Sequence, residues 1–200
     1  QGLQLMEYRG YDSAGIALNQ EQQVLRLRSL GKVSKLEDLM IEHKPKASSG
    51  IAHTRWATHG APSEENAHPH GSNNQIYIVH NGIIENHDEI RTQLKDHGYE
   101  ISSQTDSELI AHLIHLYKKE DDNTLTALIK ATKKLRGAYS IAAIDANQKN
   151  KVFAARQKSP LLIGKGIEEN FVASDPLAII NITQSFYLLP LLKVLAYLHL

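Results

Sequence analysis

The sequence predicts an α+β layered sandwich built on antiparallel sheets. Short apolar or alternating runs come first, amphipathic helical segments occupy the middle of the chain, and short apolar runs return after residue 137. Strands, then helices, then strands again favour this arrangement over a parallel sheet with alternating helices. At 200 residues the chain suits one domain with a substantial core.

The elements of the first half follow from periodicity and from turn residues. They are, in order, a helix end over 1–8, a hairpin over 16–18 and 24–28, a short helix over 32–42, and strands over 50–56 and 75–80. The strand over 50–56 runs into Gly60, Ala61, Pro62 and Ser63, so it delivers its last side chains onto a loop at a sheet edge.

The second half is predicted to hold the main helices. The predicted elements are a helix over 87–97, a short strand over 98–101, helices over 105–116 and 124–135, and strands over 139–144, 151–155, 161–163 and 171–173. Thr105 with Glu108 three residues later predicts a capping box, and Gly137 predicts a helix stop.

Composition excludes several classes of function. Lys plus Arg equals Asp plus Glu, at 22 each, so no basic field attracts nucleic acid or an anionic membrane. The absence of cysteine excludes disulfides and thiolate metal sites within this chain and favours a reducing, cytoplasmic location. The apolar tail over 187–200 is interrupted by Pro190, Lys193 and His199 and is shorter than the roughly 20 residues of a membrane span.

Arg55 is the first candidate binding residue. A guanidinium offers a rigid fork that matches a carboxylate, and every free amino acid carries one. By itself, an arginine at this position is more typical of a surface or ion-pair residue.

Asn81 and Gly82 follow an apolar strand and allow two interpretations. An Asn-Gly pair at a strand end is typical of a turn. An Asn side-chain amide beside a Gly backbone N–H can also direct two donors at one oxygen, as an oxyanion hole requires.

Asp106 likewise has a structural and a functional interpretation. In the first turn of a helix its carboxylate gains from the helix dipole. It could instead bind an ammonium group, which would make it the partner of Arg55 across an amino acid.

A loop with His68 and His70 raises the question of zinc, because other histidines lie nearby in the sequence. The loop lacks the HExxH arrangement, Pro69 stiffens it, and no ligand set is completed. The alternative is that both histidines fix the loop by hydrogen bonds, and we expect neither a metal nor a cofactor.

Six motifs together closely resemble one known family. They are EYRGYDSAG (7–15), HTRWATHG (53–60), NAHPH (66–70), HNGIIEN (80–86), TDSE (105–108) and LRGAY (135–139). They resemble the glutaminase domain of the isomerising glutamine:fructose-6-phosphate aminotransferases, or glucosamine-6-phosphate synthases, which are class II glutamine amidotransferases. The resemblance covers roughly residues 2–186.

The resemblance implies an N-terminal-nucleophile hydrolase fold, a four-layer αββα sandwich, and hydrolysis of glutamine to glutamate and ammonia for hexosamine synthesis. By this resemblance, Arg55 would bind the substrate carboxylate, Asp106 would bind its ammonium group, and Asn81 with Gly82 would form the oxyanion hole. Thr58 and His59 would close over the substrate, and Trp56 would lie at the ammonia exit. His68 would organise the loop, and Arg9 with Gly10 would support the nucleophile. Its implied partners are glutamine or glutamate, the sugar isomerase domains of a longer protein and a second copy in a homodimer.

The chain departs from this family at both ends. The family's nucleophile is an N-terminal cysteine whose own α-amine is the general base, and the chain contains no cysteine. We therefore expect the first strand and a Met-Cys-Gly start to precede Gln1, and no glutaminase turnover from this chain alone. The tail over 187–200 is unlike the family, as a shifted reading frame would make it, and the sugar isomerase domains are absent from the sequence.

Three alternatives stay open at this stage. The chain could be the glutaminase part of a purine-pathway phosphoribosyltransferase or of asparagine synthetase. It could be a zinc-dependent hydrolase built on the histidine-rich loop. It could also be a non-catalytic module that binds glutamine or glutamate.

Overall fold

Antiparallel sheets lie between two groups of helices in the computed structural model, which describes residues 1–21, 23–56, 60–190 and 193–196. The helices are α1 (Gly2–Met6), α2 (Val33–His43), α3 (His87–Asp96), α4 (Asp106–Asp121) and α5 (Thr124–Thr132), with short 3-10 turns at Glu7–Arg9 and Pro176–Ala178. The strands are β1 (Ser13–Asn19), β2 (Val24–Leu30), β3 (Ser49–Arg55), β4 (His70–Ser72), β5 (Ile76–Ile84), β6 (Gly137–Asp145), β7 (Phe153–Gln157), β8 (Leu162–Lys165), β9 (Asn170–Ala173), β10 (Phe186–Leu188) and β11 (Lys193–Ala196).

The first sheet has the order β2-β1-β3, and all its pairs are antiparallel. The predicted hairpin is confirmed, since Ser13 pairs with Leu30 and Asn19 with Val24. Helix α2 packs its apolar side against this sheet through Val33 and Leu36, which join the buried Ala14 and Leu27.

The second sheet is the largest, with the order β11-β7-β6-β5-β4. Its centre is the long pair β5 and β6, which stays in register from Ile76 with Asp145 to Ile84 with Gly137. Its outer face meets α3, α4 and α5 in the main core, where Ile78, Leu113, Leu128 and Ile141 are fully buried. Burial of apolar area at about 25 cal/mol per Å² makes this core the principal source of stability.

The two sheets also pack on each other, which completes four layers. Ala17 and Ile51 of the first sheet contact Tyr77 and Ile144 of the second. The order is therefore helices α1 and α2, the first sheet, the second sheet, and helices α3 to α5. A third antiparallel sheet, β10-β8-β9, lies at the end of the chain, where Leu161 and Val172 pack with Ala154 of β7 and with Leu189.

Some of the sequence predictions about local structure are wrong. Gly137 is not a helix stop, because α5 ends at Thr132 and Gly137 begins β6. Asn81 and Gly82 form no turn but continue β5, where they pair with Ser140 and Tyr139 of β6. Residues 98–101 form no strand; after the C-terminus of α3 they are a turn and irregular backbone, and only Tyr99 is buried in the core.

The chain after residue 186 belongs to the sheets as far as it is described. Phe186–Leu188 pairs with β8 and Lys193–Ala196 pairs with β7. Tyr187 and Leu188 are exposed, whereas Leu189 is buried. In the described ranges no helix combines the length and the apolar character needed to cross a membrane.

Candidate functional site

The predicted site residues converge on one cavity of about 810 Å³. It opens between α1 and α2, β3, β5 and β9, and the predicted residues that line it are Arg9, Gly10, Arg55, Trp56, His68, Asn81, Gly82 and Asp106. Thr58 and His59 lie outside the described residues, so their predicted role in loop closure stays a prediction.

Arg55 ends β3, and its side chain points inward. It is 4% exposed, with Nη1 3.2 Å from Asp12 Oδ1 and Nη2 donating to the Gly60 carbonyl oxygen at 3.0 Å. Asp12 is itself largely buried, and Ser13 Oγ donates to the same carboxylate oxygen at 2.8 Å. The guanidinium is therefore held at the cavity wall by an acid that sequence reasoning gave no role, although it lies in a recognised motif.

Asp106 is the first residue of α4 and is buried beside β5. Its Oδ2 accepts from the Ile84 backbone N–H at 2.7 Å, and its Oδ1 is 3.4 Å from Ser107 Oγ. Thr105 caps the helix by accepting from the Glu108 N–H at 3.4 Å, as predicted. The predicted capping box is not completed, because the Thr105 N–H donates to Ser103 Oγ and not to Glu108. Asp106 therefore lies in the first turn of a helix, as predicted, and the bond from β5 fixes its carboxylate at the cavity.

Asn81 and Gly82 lie side by side in the middle of a sheet. Gly82 has φ +135°, and a Cβ there would be 2.0 Å from the Ala138 carbonyl oxygen, so no larger residue fits the backbone. The side-chain Oδ1 of Asn81 is 2.7 Å from His53 Nε2. His53 is the second residue that sequence reasoning left without a role, although it opens the motif that contains Arg55.

The half-buried His53 and the buried His68 and His70 form the wall beside Asn81. The His53 and His68 ring centroids are 4.1 Å apart, the His68 and His70 centroids 4.8 Å, and His70 Nε2 is 3.1 Å from Thr105 Oγ1. Burial lowers the pKa of His53 to about 4 and of His70 to about 3, so both rings are neutral at neutral pH. Within the part of the chain that the structure describes, no group of three or more His, Cys, Asp or Glu could hold a metal ion.

Arg9, Gly10 and Trp56 lie at the cavity mouth. Arg9 Nη1 donates to Ser174 Oγ at 3.4 Å. Gly10 has φ +96°, and a Cβ there would be 1.4 Å from Trp56 Cε3, because the indole ring lies directly on the glycine. Trp56 is nevertheless 66% exposed, as expected of a side chain at an opening.

Comparison with known proteins assigns the family. The family described as glutamine amidotransferase domain matches residues 53–181. The chain belongs to this family. Arg55, Asn81, Gly82 and Asp106 all lie within the matched region.

The curated relatives are longer proteins. The glutamine–fructose-6-phosphate aminotransferase [isomerizing] of Pseudomonas putida is 54% identical over 187 residues, which are 93% of this chain and 31% of the relative. The protein of the same name from Haemophilus influenzae is 51% identical over 189 residues, which are 94% of this chain and 31% of the relative. The chain thus spans about a third of the length of these relatives.

Solved structures show the same fold. The glutamine phosphoribosylpyrophosphate amidotransferase of Bacillus subtilis superposes with a TM-score of 0.77 at 24% identity, covering 91% of this chain and 40% of that one. The structure described as the allosteric regulatory enzyme of purine biosynthesis superposes with a TM-score of 0.78 at 25% sequence identity, and it covers the same shares of the two chains. The chain has the N-terminal-nucleophile hydrolase fold of the class II glutamine amidotransferases, and the predicted fold class is confirmed.

Proposed function

We propose that this chain is the glutaminase part of a glutamine:fructose-6-phosphate aminotransferase, which releases ammonia from glutamine for glucosamine 6-phosphate synthesis. The observation that carries the proposal is the convergence of Arg55, Asp106, Asn81 and Gly82 on one cavity. These groups match the two charged ends and the side-chain amide oxygen of a single glutamine. The aminotransferase relatives are 51% and 54% identical to this chain in sequence, whereas the phosphoribosylpyrophosphate amidotransferase of similar fold is 24% identical. The higher identity favours this assignment over a purine-pathway glutaminase.

In the proposed complex, Arg55 binds the α-carboxylate of glutamine and Asp106 its α-ammonium. Each would be a charge-assisted pair made by a buried side chain, and such pairs are stronger than those at an exposed surface. Asp12 and the Gly60 carbonyl hold the guanidinium, and the Ile84 N–H holds the Asp106 carboxylate, so neither group needs to reorganise when the substrate enters.

The reaction then needs a nucleophile and an oxyanion hole. A general base takes the proton of a thiol, the thiolate attacks the amide carbon, and the Asn81 side-chain amide and the Gly82 N–H meet the negative charge that develops on the amide oxygen. The proton then passes to the departing nitrogen, so that ammonia leaves, and water hydrolyses the thioester to glutamate and the free thiol. Residues 1–200 contain no thiol, so the proposal requires one from a segment outside this sequence. Arg9 and Gly10 would support that thiol, His68 would organise the wall, and Trp56 would border the ammonia exit.

The cavity also has the shape and the open strand edges that would accept one more β-strand. Among the described strands, β3 has a partner on one side only, β1, and β9 has only β8, while both line the cavity. Val79, Ser140 and Ala142 form its floor, and Met6 and Leu36 line its helical side. An extended segment between β3 and β9 would complete the hydrogen bonds of both edges and bring its end towards Asn81 and Gly82.

The wider assignments belong to the same proposal. Residues 1–186 are the partial glutaminase domain, 187–200 are an atypical tail, and sugar isomerase domains are the partners in a longer, homodimeric, cytoplasmic protein. The balanced charge, at 22 acidic and 22 basic residues, supports the expectation that neither nucleic acid nor a membrane is a partner.

Isothermal calorimetry with L-glutamate tests the proposed site without needing catalysis. Arg55→Ala and Asp106→Asn should each weaken binding by about tenfold to a hundredfold, because each removes a charge-assisted contact of about 1.5–3 kcal/mol. Arg136→Ala is the matched control, since this arginine is exposed and pairs with Glu89 on the surface. Thermal melts verify that each variant is folded, and unchanged affinity in both site variants would remove them from the substrate site.

A further inference from the structure

We propose that His53 is a positioning residue that decides which end of the Asn81 side-chain amide faces the cavity. The inference rests on the proposed function, because it gives Asn81 the task of donating a hydrogen bond to the substrate oxygen. His53 would not touch the substrate itself and would act only through Asn81.

The contact joins two sheets. His53 lies in β3 of the first sheet and Asn81 in β5 of the second, and the 2.7 Å bond between Nε2 and Oδ1 crosses the interface between them. Both residues line the cavity. The bond therefore fixes the Asn81 side chain at the point where the sheets meet the site.

This contact decides the orientation of the Asn81 amide because the two ends of an amide differ chemically. An asparagine side chain carries an acceptor oxygen and a donor NH₂ group on opposite branches, and a half-turn of the amide exchanges them. When His53 binds the oxygen, the NH₂ group faces the cavity and can donate a hydrogen bond to the substrate oxygen. When His53 binds the nitrogen, the oxygen would face a developing oxyanion and repel it.

The position of the His53 proton selects the first arrangement. A neutral imidazole has one N–H. His53 Nδ1 is buried and makes no hydrogen bond that meets distance and angle limits, although the ring also lies close to the His80 backbone. A proton on Nδ1 would be an orphaned buried donor, which is rarer in proteins than an orphaned acceptor. With the proton on Nε2, His53 donates to Asn81 Oδ1 and only an acceptor is left unpaired.

The surroundings hold the ring in place. His68 lies against it, His70 lies edge-on to His68, and His70 contacts Thr105 at the N-terminus of α4. The same helix begins with Asp106, so one series of contacts links Asn81 to the residue proposed to bind the ammonium group. Protonation of His53 would add a proton at Nδ1 and keep the one on Nε2, so the orientation of Asn81 is expected to be independent of pH.

Two ligands separate the amide orientation from general binding. L-glutamate has a side-chain carboxylate to accept from Asn81, whereas L-norvaline has the same α-groups and no side-chain oxygen. In calorimetry, His53→Leu should leave norvaline affinity unchanged and lower glutamate affinity by about tenfold, so that the preference for glutamate collapses. His53→Gln, which keeps a donor, should retain most of the preference, and the exposed His43→Gln should retain all of it.

Nitrogen NMR of the unmodified, ¹⁵N-histidine-labelled protein gives a second test that needs neither a ligand nor a variant. We expect His53 to be the Nε2–H tautomer with an unprotonated Nδ1. An Nδ1–H tautomer, or a His53→Leu variant with an undiminished glutamate to norvaline ratio, would overturn the inference. Failure of the wild-type chain to bind norvaline and glutamate would count against the proposed function, and the tautomer would still decide the role of His53.

Discussion

Gly82 shows how the lack of one side chain shapes this site. Its φ of +135° and the position of the Ala138 carbonyl, 2.0 Å from an added Cβ, leave no room for a larger residue. The residue also lies in a continuous pair of strands rather than in a turn. The glycine therefore lets β6 approach closely while its own N–H stays beside Asn81.

Alanine at Gly82 should destabilise the fold by about 3 kcal/mol or more, because backbone strain and a backbone clash add. Gly98→Ala is the control: Gly98 also has positive φ, at +78°, but an added Cβ there meets nothing within 4 Å. That variant should lose only about 1 kcal/mol. Urea denaturation of both measures the difference, and equal losses would show that the contact with Ala138 has no role.

At the scale of elements, the start of α4 organises more than its own helix. Thr105 accepts from the Glu108 N–H, contacts Ser103 Oγ at 2.9 Å, and approaches His70 Nε2 at 3.1 Å. Glu108 accepts from the Ser102 and Ser103 N–H groups, which lie three and two residues before the N-cap residue that an ordinary capping box would use. Burial alone would raise the pKa of Glu108, but hydrogen bonds from His112, Ser103 and Ser102 hold it well below its usual range.

Removal of this cap should cost more than removal of an isolated one. Thr105→Ala is expected to lower stability by about 2 kcal/mol, at the upper end for a helix cap, because buried partners lose a hydrogen bond as well. Asn123→Ala, which removes the exposed cap of α5 at Thr126, should cost about 1 kcal/mol or less. Thermal unfolding of the two variants tests this, and a larger loss from Asn123→Ala would contradict it.

Local signals identified most elements because their causes are local. The hairpin, the helix beginning at Val33 and the capped start of α4 follow from alternation, apolar spacing and Thr105. Asn81-Gly82 misled because its backbone is set by pairing with β6, some 57 residues away in sequence, as in the pairing of Gly82 with Tyr139. Asp12 and His53 were missed for the same reason, since their partners Arg55 and Asn81 are distant along the chain.

At the scale of the whole molecule, many histidines are buried where the layers meet. Burial is the largest cause in each case, and it lowers the pKa to about 4 for His53, His80 and His115, to about 3 for His70, and well below 6.5 for His68. The unfolded chain takes up these protons near pH 6.5, whereas the folded chain resists until about pH 4 or below.

Stability should therefore fall steeply as the pH drops from 6.5 towards 4. Each such histidine adds a slope of up to about 1.4 kcal/mol per pH unit, because the unfolded state binds more protons in this range. Below about pH 4.3 the Glu108 carboxylate adds to the loss. Urea titrations across this range measure the slope. His70→Gln should lower the number of protons taken up on unfolding by about one, whereas a flat profile would contradict the prediction.

The position of Trp56 gives the molecule an optical reporter. It is the only tryptophan in the chain, its indole lies on Gly10, and it borders the cavity while being 66% exposed. Emission from a ring in this setting shifts towards shorter wavelength when water around it is displaced. Entry of an amino acid or of a strand can therefore be followed by intrinsic fluorescence, without a label and without turnover.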